Sequence, residues 1–236
     1  MRAAYAIRGP VDCAPSVSIE EGVMRLLLSG FEPFGGERVN PSWEVASAIG
    51  AAPPAGVDLE LIRLPVRGRI SFDRLIPAFE AGGFDAWIGL GEAGGRSHLS
   101  VERTGVNVLI DRDENLKAMP EQTLVVGGPA GYFARLPVGD VAAAMRAAGA
   151  PSQVSETAGT YICNETLYVM GNHLDTTDAR AIGGFIHLPF LPEQTVEKRA
   201  GTPSMTLETQ VLGVRAAIEF VRDLVAQRAG VTAGAR

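Results

Sequence analysis

Ser155-Glu156-Thr157-Ala158-Gly159-Thr160-Tyr161-Ile162-Cys163-Asn164 ends one segment in small residues and begins a helix with a thiol in its first turn. At that point unpaired backbone N–H groups and the positive end of the helix dipole favour a thiolate. Cys163 is therefore a candidate nucleophile. The competing reading is a free cysteine packed as a small hydrophobe. On either side of this junction short apolar strands alternate with helical stretches, the pattern of an open α/β sheet with helices on both faces.

Upstream, Arg25-Leu26-Leu27-Leu28-Ser29-Gly30 reads as a buried strand that breaks into the loop Phe31-Glu32-Pro33-Phe34-Gly35-Gly36. Asn40 is a good N-cap and Pro41 suits a first helical position, so a helix begins there, with Gly50 following its last turn. Phe31 and Phe34 read either as core residues or, given Pro33 and the glycines, as loop aromatics facing a ligand. Val57 to Leu64 alternates as a second strand. A helix follows from Ser71 to Glu80, weakened by Pro77, and Phe84 to Leu90 is the third strand.

Gly89, Gly91 and Gly94 then match the spacing of a dinucleotide fingerprint, with Asp111 roughly twenty residues on. That motif requires a helix at its third glycine, whereas Leu99 to Val108 alternates like a strand. The glycines read instead as shaping a loop that lets substrate approach the backbone. Glu102 lies just beyond, either a solvated face residue or a carboxylate with a partner. Residues 111 to 138 show little periodicity.

Gly139 to Ala148 is an alanine-rich helix stopped by Gly149, and the cysteine helix runs on to about Met170. Ala181 to Pro189 is a compact apolar strand with one polar side chain, His187, which is either a hydrogen-bonded structural histidine or a base. The chain has three histidines. His98 lies in the glycine loop, and His173 is roughly 15 Å along the helix from Cys163. His187 is therefore the leading base. A final helix from Thr206 to Arg228 carries the stripe Leu207, Val211, Val214, Ile218, Val221 and Val225. The Phe31 loop, the Gly91–Arg96 loop, Cys163 and His187 all follow strands, so they converge beyond the strands' carboxyl ends, where open sheets bind ligands. A thiol, an imidazole and a carboxylate brought together there supply nucleophile, base and orienter for acyl transfer.

Composition narrows the function classes. The chain of 236 residues is 46% hydrophobic and 20% charged, with no uninterrupted apolar run long enough to span a bilayer. A net charge of −6 without a Lys/Arg patch argues against nucleic acid as a partner. Two distant cysteines, Cys13 and Cys163, fit a reducing cytoplasmic setting better than a disulfide framework, and no zinc-type spacing occurs. Met24 directly precedes the first strand, so residues 1–23 read as a disordered extension or a mis-assigned start and 24–236 as a single catalytic domain.

Four motifs, in order, carry a family resemblance: Gly30-Phe31-Glu32-Pro33-Phe34-Gly35-Gly36 with Asn40-Pro41; Gly94-Gly95-Arg96 followed by Glu102-Arg103; Thr157-Ala158-Gly159-Thr160 with Cys163-Asn164; and Gly183-Gly184-Phe185-Ile186-His187 with Leu191-Pro192-Glu193-Gln194. Together they resemble pyroglutamyl peptidase type I, the pyrrolidone carboxyl peptidases, from Leu26 through the final helix. The resemblance implies a three-layer α/β/α sandwich with a mostly parallel twisted sheet. It implies a cytoplasmic homotetrameric cysteine peptidase, without metal or cofactor, that removes N-terminal 5-oxoproline from peptides through a thioester. By motif, Cys163 would be nucleophile, His187 general base and acid, and Glu102 the orienting carboxylate. Phe31 and Phe34 would enclose the lactam, with Asn40 nearby, and Arg112 would correspond to an arginine near the oxyanion. Two residues depart from the family pattern. Glu92 stands where glutamine is typical, and Glu156 replaces an uncharged residue. The first motivates an alternative, a cysteine amidohydrolase of altered lactam or N-acyl specificity; a non-catalytic binding scaffold is the reading from another class.

Overall fold

The computed structural model describes residues 22–111, 119–177 and 179–233. Its strands are β1 (Met24–Phe31), β2 (Val57–Leu64), β3 (Ala86–Glu92), β4 (Leu99–Glu102), β5 (Thr104–Val106), β6 (Gly131–Phe133), β7 (Ser152–Ser155) and β8 (Ile182–Leu188). Six of them form one sheet in the order β2-β1-β3-β8-β4-β7, while β5 and β6 pair in a separate antiparallel ribbon. All neighbours in the main sheet are parallel except β4 and β8. The three central strands β1, β3 and β8 are buried along almost their whole length, which their continuous apolar runs require, whereas edge strand β2 alternates.

The helices are α1 (Pro41–Ala51), α2 (Ile76–Gly82), α3 (Val138–Ala147), α4 (Ile162–Thr176) and α5 (Leu207–Ala233). Successive side chains of β1 point to opposite faces. Leu26 and Leu28 join Val45, Val141 and Ile218 in the layer of α1, α3 and α5, while Leu27 joins Leu75, Leu167 and Met170 in the layer of α2 and α4. The result is the expected α/β/α sandwich. Val214, Ile218 and Val221 of the α5 stripe are wholly buried.

Several boundaries differ from the sequence reading for local reasons. Gly50 lies inside α1 rather than after it; a Cβ there would meet Leu61 Cδ1 at 2.6 Å, so it serves close helix–strand packing. Pro77 sits at the start of α2, which continues directly from a π-helical turn, Ser71–Leu75, so the helix is irregular just before the proline. The strand expected over Leu99–Val108 breaks at Arg103. Its N–H donates to Ser155 O at 2.8 Å while its carbonyl accepts from Ala134 N at 2.8 Å, which carries the chain out of the sheet into the β5–β6 ribbon. β3 extends to Glu92, so Gly89 and Gly91 are strand residues and not part of a loop. No helix opens at Gly94; the chain continues into β4. The cysteine helix runs to Thr176, beyond Met170. Arg112, Cys13 and residues 1–21 lie outside the described residues.

Candidate active site

The loop between β7 and α4 turns through Gly159 at φ 83°, where Gly159 N donates to Thr157 Oγ1 at 3.2 Å. Tyr161 holds the N-cap position without a side-chain capping bond, and the first intrahelical bond is Glu165 N to Tyr161 O. The amides of residues 162–164 therefore precede the ladder, with Cys163 in that first turn. The next two residues anchor it. Asn164, wholly buried, accepts from Val106 N at 2.7 Å and donates to the carbonyls of Val106 and Val108 at 3.0 and 2.7 Å. Glu165, equally buried, accepts from Arg69 N at 2.7 Å and Ser71 N at 3.0 Å. Burial pushes the Glu165 carboxyl up, against the pull of those bonds.

His187 and Glu102 meet because β4 runs antiparallel to β8. Ser100 pairs with His187 and Glu102 with Phe185, so Glu102 shares a face with Phe185 and His187 and lies diagonal to the histidine. His187 Nδ1 and Glu102 Oε1 are 2.7 Å apart, which leaves the other ring nitrogen free of Glu102, and His187 and Cys163 line the same cavity. Glu102 is 0% exposed and His187 5%. The solvated-face reading of Glu102 is excluded by that burial.

Electrostatics follow from the packing. Burial acts to lower the His187 value, but the charge and hydrogen bond of Cys163, then those of Glu102, push it up to about 9. Burial likewise opposes ionisation of Glu102, yet His187, Ser155 and Arg96 together hold its carboxyl below the usual range. Arg96 Nη1 donates to Glu102 Oε1 at 2.7 Å, the same oxygen that His187 uses. The sequence reading quoted Arg96 without giving it a role; the signal was a lone cation in a glycine turn a few residues before a strand carboxylate.

A cavity of about 750 Å³ opens over this cluster, and Cys163, His187, Phe31, Phe34, Glu92 and Arg96 line it. Phe31 is buried and Phe34 half out in solvent, so one ring is fixed and the other stands at the mouth. Asn40 also reaches the cavity, with its amide already engaged. Its oxygen caps α1 at Ser42 N, 3.1 Å, and accepts from Ser42 Oγ, 2.7 Å, while its nitrogen donates to Glu32 O at 3.0 Å. Phe31 N in turn donates to Ser42 Oγ at 2.9 Å. Asn40 thus fixes the phenylalanine loop.

Glu92 accepts from Gln194 Nε2 at 2.7 Å, and Gln194 Oε1 accepts from Leu191 N at 2.9 Å. Burial raises the Glu92 carboxyl; the Gln194 bond opposes it, Glu37 adds to it and Lys198 opposes it. Gln194 is a second residue whose role sequence reasoning missed, although it closes the last of the four motifs. Glu156 points away from the cavity, paired with Arg103 at 2.8 Å on the surface. His173 lies toward the other end of α4, edge-on to Phe79 and 3.8 Å from Glu80. Among the described residues no three His, Cys, Asp or Glu side chains cluster as metal ligands would. Nor is any described helix long and apolar enough to cross a membrane.

Residues 24–223 match the family profile described as pyroglutamyl peptidase. The chain is 43% identical over 214 residues to a pyrrolidone-carboxylate peptidase of Streptomyces coelicolor, covering 89% of this chain and 98% of that one. It is 44% identical over 203 residues to one of Gloeobacter violaceus, covering 85% and 98%. Among solved structures it resembles the pyrrolidone carboxyl peptidase of Fervidobacterium islandicum, with TM-score 0.80, 35% identity and coverage of 85% and 99%.

Proposed function

The chain belongs to the pyroglutamyl peptidase family, and from that premise we propose how it hydrolyses the amide bond after an N-terminal pyroglutamyl residue: Cys163 attacks, His187 moves the proton and Glu102 orients His187. The observation that carries this assignment is the Glu102–His187–Cys163 relay at the floor of a cavity with two aromatic rings. With His187 proton-loaded at neutral pH, the Cys163 thiolate adds to the scissile carbonyl carbon, and backbone N–H groups at the start of α4 receive the oxyanion. Collapse of the adduct breaks the C–N bond as His187 gives its proton to the leaving amine. A thioester remains. Water then adds to it, losing its proton to His187, and cleavage of the C–S bond releases 5-oxoproline and restores the thiolate–imidazolium pair.

An N-terminal lactam has no ammonium to capture, so an apolar slot with few polar groups suffices to recognise it. Phe31 and Phe34 supply the faces of that slot and Glu92 its polar end, with Asn40 holding the Phe31–Phe34 loop. A free catalytic thiol suits the reducing cytoplasm. Exposed Val126 and Phe133 give the surface apolar area suited to self-association, as in a homotetramer.

The half-buried carboxylate of Glu92 favours one second reading, a shift in preference toward another small lactam or N-acyl group. Release of a fluorophore from a pyroglutamyl amide under reducing conditions tests both. Turnover by the wild type that disappears in Cys163→Ser is expected. Absence of turnover from folded, reduced wild type, with turnover of another N-acyl amide, would overturn the pyroglutamyl reading.

A further inference from the structure

Glu102 Oε1 carries two cationic donors, His187 Nδ1 and Arg96 Nη1, each at 2.7 Å, while Oε2 is buried with no hydrogen-bond partner. The arrangement is lopsided. A carboxylate that served only to orient the imidazole would keep its charge for the imidazole; here half of the donor set belongs to a side chain that lines the substrate cavity and is 31% exposed. Arg96 reaches that position because the chain turns through Gly95 at φ 87°, a conformation that glycine adopts freely, and closes the turn with Arg96 N on Ala93 O.

We propose that Arg96 is a positioning residue of the catalytic apparatus: by sharing one oxygen of Glu102 with His187, it divides that carboxylate's charge and limits how tightly the imidazole holds its proton. The proposal rests on the Cys163–His187–Glu102 assignment. One physical argument supports it. A guanidinium on the shared oxygen draws charge density from His187, which otherwise sits between a thiolate and an undivided carboxylate and gives up its proton to the leaving amine less readily. The charged and titratable groups around the pair are Cys163 from α4, Glu102 from β4 and Arg96 from the β3–β4 loop. Glu92 and Asp111 also line the cavity, and His98 lies two residues beyond Arg96, where burial and then the Arg96 charge lower its value.

Arg96→Met and Arg96→Lys test the proposal in the intact enzyme by two readouts. Histidine-selective NMR follows the His187 imidazole against pH, and the pH profile of kcat/KM follows turnover of a pyroglutamyl amide. In Arg96→Met the His187 titration and the basic limb of kcat/KM are expected to move up by about one pH unit, with kcat falling more than KM rises. Arg96→Lys is expected to return both toward wild type, and thermal unfolding identifies a variant that has failed to fold. A folded Arg96→Met in which the His187 titration is unmoved overturns the proposal, whether or not KM or melting temperature changes. Because the NMR titration needs no substrate, a shift seen without pyroglutamyl turnover would count against the substrate assignment and leave the role of Arg96 standing.

Discussion

Gly91 and Cys163 are packed so closely that a Cβ on Gly91 would stand 2.9 Å from the Cys163 sulfur and 2.7 Å from Phe185 Cζ. The thiol therefore occupies space that a side chain on β3 would otherwise fill, and Phe185 in turn lies edge-on to His187 at 5.0 Å between ring centroids. In Gly91→Ala either the sulfur or the phenyl ring must move. Because sub-ångström misplacement of reacting groups is expensive, kcat/KM is expected to fall by about a hundredfold. Overpacking should cost about 1–3 kcal/mol of stability. Kinetics on the folded variant, beside a denaturation curve, check both; wild-type kcat/KM would show that Gly91 does not set the position of the thiol.

The proton on His187 predicts a pH limit. Departure of the amine needs the imidazolium, so kcat/KM should decline as pH rises through about 9. The same displacement bears on stability. The folded value lies above the ordinary 6.5, so the His187 contribution is fully present below about 6.5 and is lost as pH climbs through about 9. Glu102→Gln removes one of the upward influences on His187. In that variant the basic limb should move down and the loss of stability between those pH values should shrink, while kcat falls by about 10²–10⁴. Rate profiles and urea midpoints from pH 6 to 10 measure all three.

The three residues that come together at the cavity were each legible in the sequence because each is a polar residue in an apolar or glycine-rich setting: Cys163 at a helix start, His187 at a strand end, Glu102 after a glycine loop. The convergence of Cys163 with His187 followed from their places after strands of an open sheet, whereas Glu102 joined them only by resemblance. Periodicity does not report that β4 runs against β8, and that reversal puts Glu102 diagonal to His187 instead of at an open strand end. Gly91 read as a loop residue because a glycine kept for close packing and a glycine kept for a turn look alike in one sequence. Arg96 and Gln194 went without roles for a related reason: each acts through a partner distant in the chain or on another strand, Glu102 and Glu92.

Glu92 and Gln194 are bonded at the cavity wall, and if Glu92 meets the lactam as proposed above, their bond predicts a pH-dependent KM. Gln194 is fixed by Leu191 N, so it presents its amide nitrogen to Glu92 Oε2. A protonated Glu92 can both accept and donate toward a lactam, whereas the carboxylate only accepts and sets its charge against the lactam carbonyl. Burial holds the proton above the ordinary 4.5. KM for a pyroglutamyl amide should therefore rise with pH once Glu92 ionises, and in Glu92→Gln it should be flat and lower at neutral pH. An unchanged KM profile in Glu92→Gln would place the lactam contact elsewhere.

Glu165 shows how strongly the first turn of α4 depends on its anchors. Its two oxygens take the amides of Arg69 and Ser71, and Asp111 takes that of Gly68 at 3.0 Å, so two carboxylates hold the turn that follows Val66 of the cavity wall. Arg69 sits at φ 66°, a left-handed conformation that a non-glycine residue keeps only when its surroundings hold it. Glu165→Ala leaves two amide donors without acceptors, at about 1–3 kcal/mol for each that stays buried, and frees the strained residue to relax. The loop should then detach from α4. The expected outcome is a loss of about 2–5 kcal/mol in unfolding free energy together with a fall in kcat/KM, because the wall and the thiol-bearing turn lose their common support. Glu165→Gln keeps the shape but turns one amide donor toward a backbone donor, so it should recover part of the stability and less of the rate. Denaturant unfolding beside turnover separates the two effects, and a Glu165→Ala enzyme as stable as wild type would mean that solvent satisfies the Arg69 and Ser71 amides equally well.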